Sequence, residues 1–300
     1  MKLFKDILRG ILIGIANAIP GVSGGTMMVS MGIYDEIISC ITGLFKHLKK
    51  SILTLLPYII GMALGIVGLS FIITGMFTNY PLQTGLLFIG LILGGLPILF
   101  RHIQIKSIGI SGILAFLVFF TLIIGMQLLG GKSGADASMS LGVVSFIKLF
   151  FVGIIASATM VIPGVSGSMM MMLLGYYEPI MRCIKETVTC LKNGDIMKMI
   201  ETCLPLIPFA IGVALGIFAV AKLIELLLNK FETMTYCAIL GLVVASPIVV
   251  LMNTFSGETG SKPVLGVLTI LASIVTFIIG FVVAFFLGND KTDETESDTI

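Results

Sequence analysis

The sequence predicts an all-α polytopic membrane protein made of two inverted-topology repeats, each a re-entrant helical hairpin followed by three transmembrane helices. Three observations predict it: an apolar composition, six apolar stretches of spanning length, and a broken motif that occurs twice. Of 300 residues, 57% are hydrophobic and 11% are charged, against about 25% charged in an ordinary soluble domain. So few charges cannot cover a water-facing surface, which excludes a soluble enzyme and a disordered chain. The formal net charge of +2 supplies no basic face for nucleic acid. Two histidines, and five cysteines without C-x-x-C spacing, leave no metal-ligand set and no disulfide framework. Neither a metal nor a cofactor is expected.

The chain opens with Lys2, Lys5 and Arg9 before an apolar run, and Ala16-Asn17-Ala18 imitates a signal-peptidase site. The same segment recurs mid-chain, so it is read as mature structure. It forms the first broken stretch, a hairpin from residue 4 through Pro20-Gly21 to residue 45. A hydrocarbon core of about 30 Å takes about 20 apolar residues in a helix, and spans follow at 52–76, 82–100 and 107–129. These complete a first repeat over 1–135. The second repeat, over 140–288, opens with a hairpin at 144–190 around Pro163-Gly164. It continues with spans at 203–228, 233–252 and 263–287. Residues 289–300 are mostly Asp, Glu, Thr and Ser and are read as a disordered tail.

Residues 19–37 align on 162–180 at an offset of 143 with 11 of 19 positions identical, and 56–66 align on 207–217 at an offset of 151. Lys5 and Gly10 recur as Lys148 and Gly153. A hairpin returns to the side it entered, so each repeat crosses the membrane an odd net number of times and the second lies inverted. Paired broken segments in inverted repeats mark secondary transporters, with the site at the repeat interface. Lys2, Lys5, Arg9, Lys46, Lys49, Lys50, Arg101 and Lys106 fall on one side, which the positive-inside rule makes cytoplasmic together with the N-terminus. Arg182, Lys185, Lys192 and Lys198 of the second repeat run against that rule.

Pro20 and Pro163 each remove a backbone donor. Gly21, Gly24, Gly25, Gly164 and Gly167 permit the turn, with Gly24 expected at positive φ. A helix restarts after each break, and helix starts bind anions through free N–H groups. Ser23, Thr26, Ser166 and Ser168 add hydroxyl donors. Together these positions form a candidate site for a phosphate or carboxylate. Arg9 suits either a counter-charge to that anion or a snorkelling anchor. Asp35, Glu36 and Glu178, with Arg9 and Asn17, are candidates for charge compensation or coupling to H+ or Na+; the carboxylates serve equally as solvated hairpin ends. Tyr34 and Tyr177 suit an interfacial belt. His47 and His102 lie in basic loops away from either serine, so no catalytic residue is assigned.

The segment Asn17-Ala-Ile-Pro-Gly-Val-Ser-Gly-Gly-Thr26, followed by Gly32-Ile33-Tyr34, resembles the signature of the DUF368 membrane family. Val161 to Ser168 resembles its second, less strict copy, with Met160 where the first has Asn17. The resemblance covers essentially the whole chain. It implies a translocase of undecaprenyl or polyprenyl phosphate in the bacterial cytoplasmic membrane, returning the lipid carrier to the cytoplasmic leaflet for cell-wall polymer synthesis. The residues themselves give an anion and a midplane site; the polyprenyl tail comes from the resemblance alone. A bare phosphate in hydrocarbon carries a Born cost on the order of tens of kcal/mol, so the head needs a lined path while the tail stays in lipid. Two other readings stay open: an intramembrane lipid phosphatase with Ser23 or Ser166 as nucleophile, and a transporter of a small soluble anion.

Overall fold

The computed structural model describes residues 2–18, 22–103, 108–130, 142–257 and 260–297, and among these every regular element is helical. The first half runs α1 (Lys2–Ala18), α2 (Gly24–Ser30), α3 (Tyr34–Thr42), α4 (Leu48–Leu64), a π-helical segment (Gly65–Leu69), α5 (Ser70–Asn79), α6 (Pro81–Gly94), α7 (Leu96–His102) and α8 (Ile110–Gly130). The second runs α9 (Val143–Val161), α10 (Gly167–Leu173), α11 (Tyr177–Asn193), α12 (Ile196–Cys203), α13 (Leu206–Ser256) and α14 (Val267–Ser297). The helices break where Pro and Gly cluster. α9 stops just before Pro163-Gly164, and α1 stops just before residues 19–21. Pro20 and Gly21 of the candidate site lie outside the described residues.

Among the described residues, five helices are long and apolar enough to cross a membrane: Pro81–Arg101, Ile110–Leu129, Val143–Val161, Leu206–Ser256 and Val267–Asn289. α13 comprises two helices that meet at a kink at Phe231, where the backbone leaves helical geometry (φ −136°, ψ 47°); the kink falls between the spans expected at 203–228 and 233–252. The span expected at 52–76 is divided by the π-helical segment, where Gly65 and Gly68 weaken the α-helical ladder. α14 runs on to Ser297, into the stretch read as a tail. A helix already nucleated extends at little cost through Lys, Asp, Thr and Glu.

Large apolar side chains cover the exterior, and several polar ones are buried with the apolar core. Ile113, Leu114, Leu117 and Val118 of α8 and Ile274, Val275, Ile278 and Ile279 of α14 are exposed, whereas Arg9, Ser23, Thr26, Thr84, Ser246 and Asn253 are buried. Such an exterior would associate in water and is matched by lipid. This is a membrane protein.

The helices approach one another through glycine, and the same approaches are made twice. Gly10 of α1 lies against the Tyr58 carbonyl of α4, and Gly153 of α9 against the Phe209 carbonyl of α13; these are one pair of positions at offsets of 143 and 151. Gly61 against the Ile7 carbonyl recurs in the same way as Gly212 against the Phe150 carbonyl. Small residues let backbones meet where lipid offers no hydrophobic drive between helices. The remaining partners are exchanged between the halves. α6 packs on α14, with Gly90 and Gly94 on the Phe277 and Phe281 carbonyls, and α8 packs on α13, with Gly241 on the Phe116 carbonyl. The halves interlock.

Candidate functional site

The two Pro-Gly-Val-Ser-Gly breaks meet in the interior of the bundle. Thr26 Oγ1 accepts a hydrogen bond from the Gly164 N–H at 2.7 Å and stands 3.4 Å from Ser246 Oγ of α13. Gly25 faces the second break, where a Cβ would sit 3.1 Å from the Pro163 Cα. Ser23 and Ser166 precede α2 and α10 in extended backbone (φ −108°, ψ 130° and φ −91°, ψ 125°), and neither side chain caps its helix. Both are buried. Ser166 Oγ pairs with Ser168 Oγ at 2.9 Å, whereas Ser23 Oγ has no hydrogen-bond partner among the described residues. An unpaired buried hydroxyl costs about 1–3 kcal/mol. It is the kind of group that a ligand satisfies.

One expectation is corrected. Gly24 does not take positive φ; a Cβ there would sit 2.5 Å from Asn17 Oδ1, and its N–H donates to that same oxygen at 3.2 Å. Left-handed backbone occurs instead at Gly164 (φ +81°) and, after the short helices, at Gly32 (φ +64°) and Gly175 (φ +75°). The N–H groups of Gly24 and Gly164 are thus already occupied. α2 and α10 have seven residues each, about two turns, so their dipoles are short. Gly167 packs beside α9, where its Cβ would meet Thr159 Oγ1 at 3.2 Å.

Arg9 does not snorkel. It is 1% exposed, donating from Nη1 to Asp6 Oδ1 at 2.8 Å and from Nη2 to the Leu287 carbonyl of α14 at 2.5 Å. Its Nε has no partner among the described residues. Asp6 stands three residues ahead on α1, which puts the two side chains on one face. Tyr58 of α4 directs its hydroxyl at Asp6 Oδ1 (3.0 Å) and at Glu36 Oε2 of α3 (3.1 Å). Asp35 accepts from the Tyr236 hydroxyl of α13 at 2.6 Å through Oδ2, while its Oδ1 is buried and unpartnered among the described residues. A depression of about 390 Å³ beside it is lined by Asp35, Ser39, Glu225 and Glu232.

Tyr34, expected in an interfacial belt, is buried and donates to the Val161 carbonyl at 3.1 Å, tying the first motif to the end of α9. Its aromatic ring fills the interior because the neighbouring carbonyl at the α9 break satisfies its hydroxyl. Tyr177 is half-buried and Glu178 exposed. The sequence did not single out Asp6, Tyr58, Tyr236 or Ser246. Only Asp6 carried a signal, its spacing of three from Arg9 on an amphipathic helix.

A family model described as VCA0040-like, undecaprenyl phosphate translocase-like, matches residues 13–263. The chain belongs to that family. It is 33% identical over 300 residues to the polyprenyl-phosphate transporter of Staphylococcus aureus, covering 96% of this chain and 98% of that one. With the polyprenyl-phosphate transporter of Vibrio cholerae it shares 25% identity over 269 residues, covering 82% of this chain and 77% of the relative. No solved structure matches. The residues matched by the family model include both motif copies and the Thr26–Gly164 junction, while Asp6 and Arg9 precede them.

Proposed function

We propose that this protein carries polyprenyl phosphate through the membrane, passing the phosphate head between the two motif segments while the isoprenoid tail stays in lipid. The observation that carries the reading is the junction itself. Two copies of one broken motif, distant in sequence, close on each other through Thr26 and Gly164 beside a buried, unpartnered Ser23 hydroxyl. The names of the family and of its relatives supply the lipid class. Opening the junction exposes Ser23, Thr26, Ser166 and Ser168 and releases the Gly164 N–H, with Pro20, Gly21, Gly24, Gly25, Pro163 and Gly167 shaping the path. In this reading the halves are inverted repeats, residues 4–45 and 144–190 are re-entrant hairpins, and the N-terminus is cytoplasmic. The glycine contacts that recur at both offsets support that arrangement. Moving the head from the outer to the cytoplasmic leaflet returns the carrier for cell-wall polymer synthesis.

The test is leaflet accessibility of polyprenyl phosphate in proteoliposomes. The expected result is protein-dependent equilibration of the lipid between leaflets, slowed in Thr26→Val. Release of inorganic phosphate from the lipid would instead establish a phosphatase. Uptake of a soluble anion that excess lipid phosphate does not inhibit would establish a small-anion transporter.

A further inference from the structure

We propose that the groove between the end of α5, the start of α6 and the start of α14 is where polyprenyl phosphate enters the protein, its isoprenoid tail along the groove wall and its phosphate at Lys262. The inference rests on the transport reading above and deepens it, giving the lipid a binding site apart from the motif junction.

The groove has a volume of about 680 Å³. Its wall is mostly apolar, with Met76 of α5, Leu82 of α6, Leu268 and Ala272 of α14 and Val264 just ahead of α14. Val264 and Leu268 are each 82% exposed, so the groove opens sideways onto the apolar exterior. Two polar side chains in the lining already donate to backbone. Asn79 bonds the Gly75 carbonyl and Thr276 the Gln83 carbonyl, each at 2.8 Å. With those donors satisfied, they put little demand for water on a hydrocarbon chain beside them. The rim is fixed by Gly260, where a Cβ would sit 2.6 Å from the Phe77 carbonyl of α5.

Charge selects the occupant. Glu258 and Lys262 are the charged residues between α13 and α14. Glu258 lies outside the described residues, and among those described Lys262 is the one charged residue that lines the groove. A cation beside an apolar wall complements a molecule with one anionic head and a hydrocarbon tail. A soluble anion would leave the wall unmatched, and an uncharged lipid would leave Lys262 unmatched. One groove suits one chain, whereas a diacyl phospholipid carries two.

Position ties the groove to the transport path. On α14, Leu287, whose carbonyl accepts from Arg9, stands nineteen residues beyond Leu268, about 28 Å along the helix. That is close to one hydrocarbon thickness. With the N-terminus cytoplasmic, the groove therefore opens to the outer leaflet, where return of the carrier begins. From there α6 leads inward. Leu82 and Gln83 line the groove, and nine residues past Gln83, about 14 Å on, the Ile92 carbonyl accepts from Ser30 Oγ at 3.2 Å. Ser30 ends α2, whose start carries the first motif. α13 gives a second link. Gly85 of α6 lies against Thr254, eight residues from Ser246, which stands 3.4 Å from Thr26.

The test compares binding of undecaprenyl phosphate with that of undecaprenol, the same tail without phosphate, to the full chain in nanodiscs. Leaflet movement is followed in proteoliposomes. Lys262→Gln should weaken undecaprenyl phosphate binding about fivefold, the worth of one lysine at a membrane surface, and leave undecaprenol binding as it was. Ala272→Trp puts a large side chain at an exposed position of the wall. It should weaken both lipids about tenfold, as if two methylene groups were turned out of the groove. Lys262 is exposed, so Lys262→Gln keeps the test decisive where Ala272→Trp fails to fold. A polyprenyl phosphate bearing a diazirine in its tail should label residues 76–83 and 261–276. Labelling confined to other segments, or displacement of the probe by an equal concentration of phosphatidylglycerol, would overturn the proposal. Wild-type affinity and leaflet movement in both variants would overturn the groove and leave the transport reading standing. Labelling and weakened binding as stated, without leaflet movement by the wild type, would remove the transport reading and leave the groove as a polyprenyl-phosphate site.

Discussion

The two motif copies share most of their residues and live in different surroundings. In α2, Gly24, Gly25, Thr26, Met27, Val29 and Ser30 are buried; in α10 no residue is. The limb ahead of α2 carries the Asp6–Arg9 pair, and the limb ahead of α10 carries Leu149 and Val152 in its place. Thr26, which accepts from Gly164, corresponds to Met169, one of four half-buried methionines at 169–172. What the copies share is what the turn and the close approaches need. What they do not share divides the labour: the first copy is locked and charged, and the second is open and lined with adaptable side chains.

Removing charge from the first copy should produce the largest effect. Arg9→Val leaves the Asp6 carboxylate buried without its cation and should cost about 3–5 kcal/mol, read as a fall in melting temperature in detergent. Adding Asp6→Leu reproduces the pair of the second copy and should recover most of that loss without restoring lipid transport. A single Arg9→Val protein as stable as wild type would dissolve the contrast between the limbs. The junction comes next. Thr26→Val leaves the buried Gly164 N–H without its acceptor and should cost about 1–3 kcal/mol. Met169→Leu at the corresponding position of α10 should cost less than about 1.5 kcal/mol. Equal losses in thermal unfolding would mean that the copies bear load alike. The smallest effect is the sharpest in sign. Ser23→Ala deletes an unpaired buried hydroxyl and should raise stability by about 1 kcal/mol, whereas Ser166→Ala loses its Ser168 partner and should lower it by about 0.5–1.5 kcal/mol. Both should slow lipid transport. Melting shifts of the same sign would show that Ser23 is satisfied in solution.

Part of this was legible in the sequence because its causes are local. Clustered proline and glycine interrupt a helix, so the breaks at both motifs could be read directly, whereas the single Pro57 and Pro247 stay inside α4 and α13. The kink at Phe231 falls in the polar stretch Asn229-Lys230-Phe231-Glu232 between two expected spans, although no Pro or Gly marks it. The site was half legible. Ser23, Thr26 and Gly164 stand in the motifs, but their meeting is a tertiary fact between chain segments that no spacing encodes. Arg9 is a clearer case. Its position near the start of α1 fits a snorkelling side chain, but the Leu287 carbonyl, from the other end of the chain, and Asp6, which Tyr58 of α4 also bonds, hold it inward. Tyr34 was misplaced for the same reason, its acceptor being the Val161 carbonyl.

The exchange of packing partners between the halves has a consequence for how the protein is made. Gly90 and Gly94 of α6 find the Phe277 and Phe281 carbonyls only on α14, which is synthesised after every other helix. Until it emerges, α6 sits in the bilayer with its closest-fitting face uncovered, and α8 waits in the same way for the second part of α13. Neither half can finish as an independent unit during translation. Among the described helices α14 comes last in the chain, and its arrival completes the packing of α6. A ribosome that stops short of α14 therefore releases a protein whose open groove is available to membrane chaperones and proteases, which makes the final span the point at which the cell can tell a finished copy from a failed one.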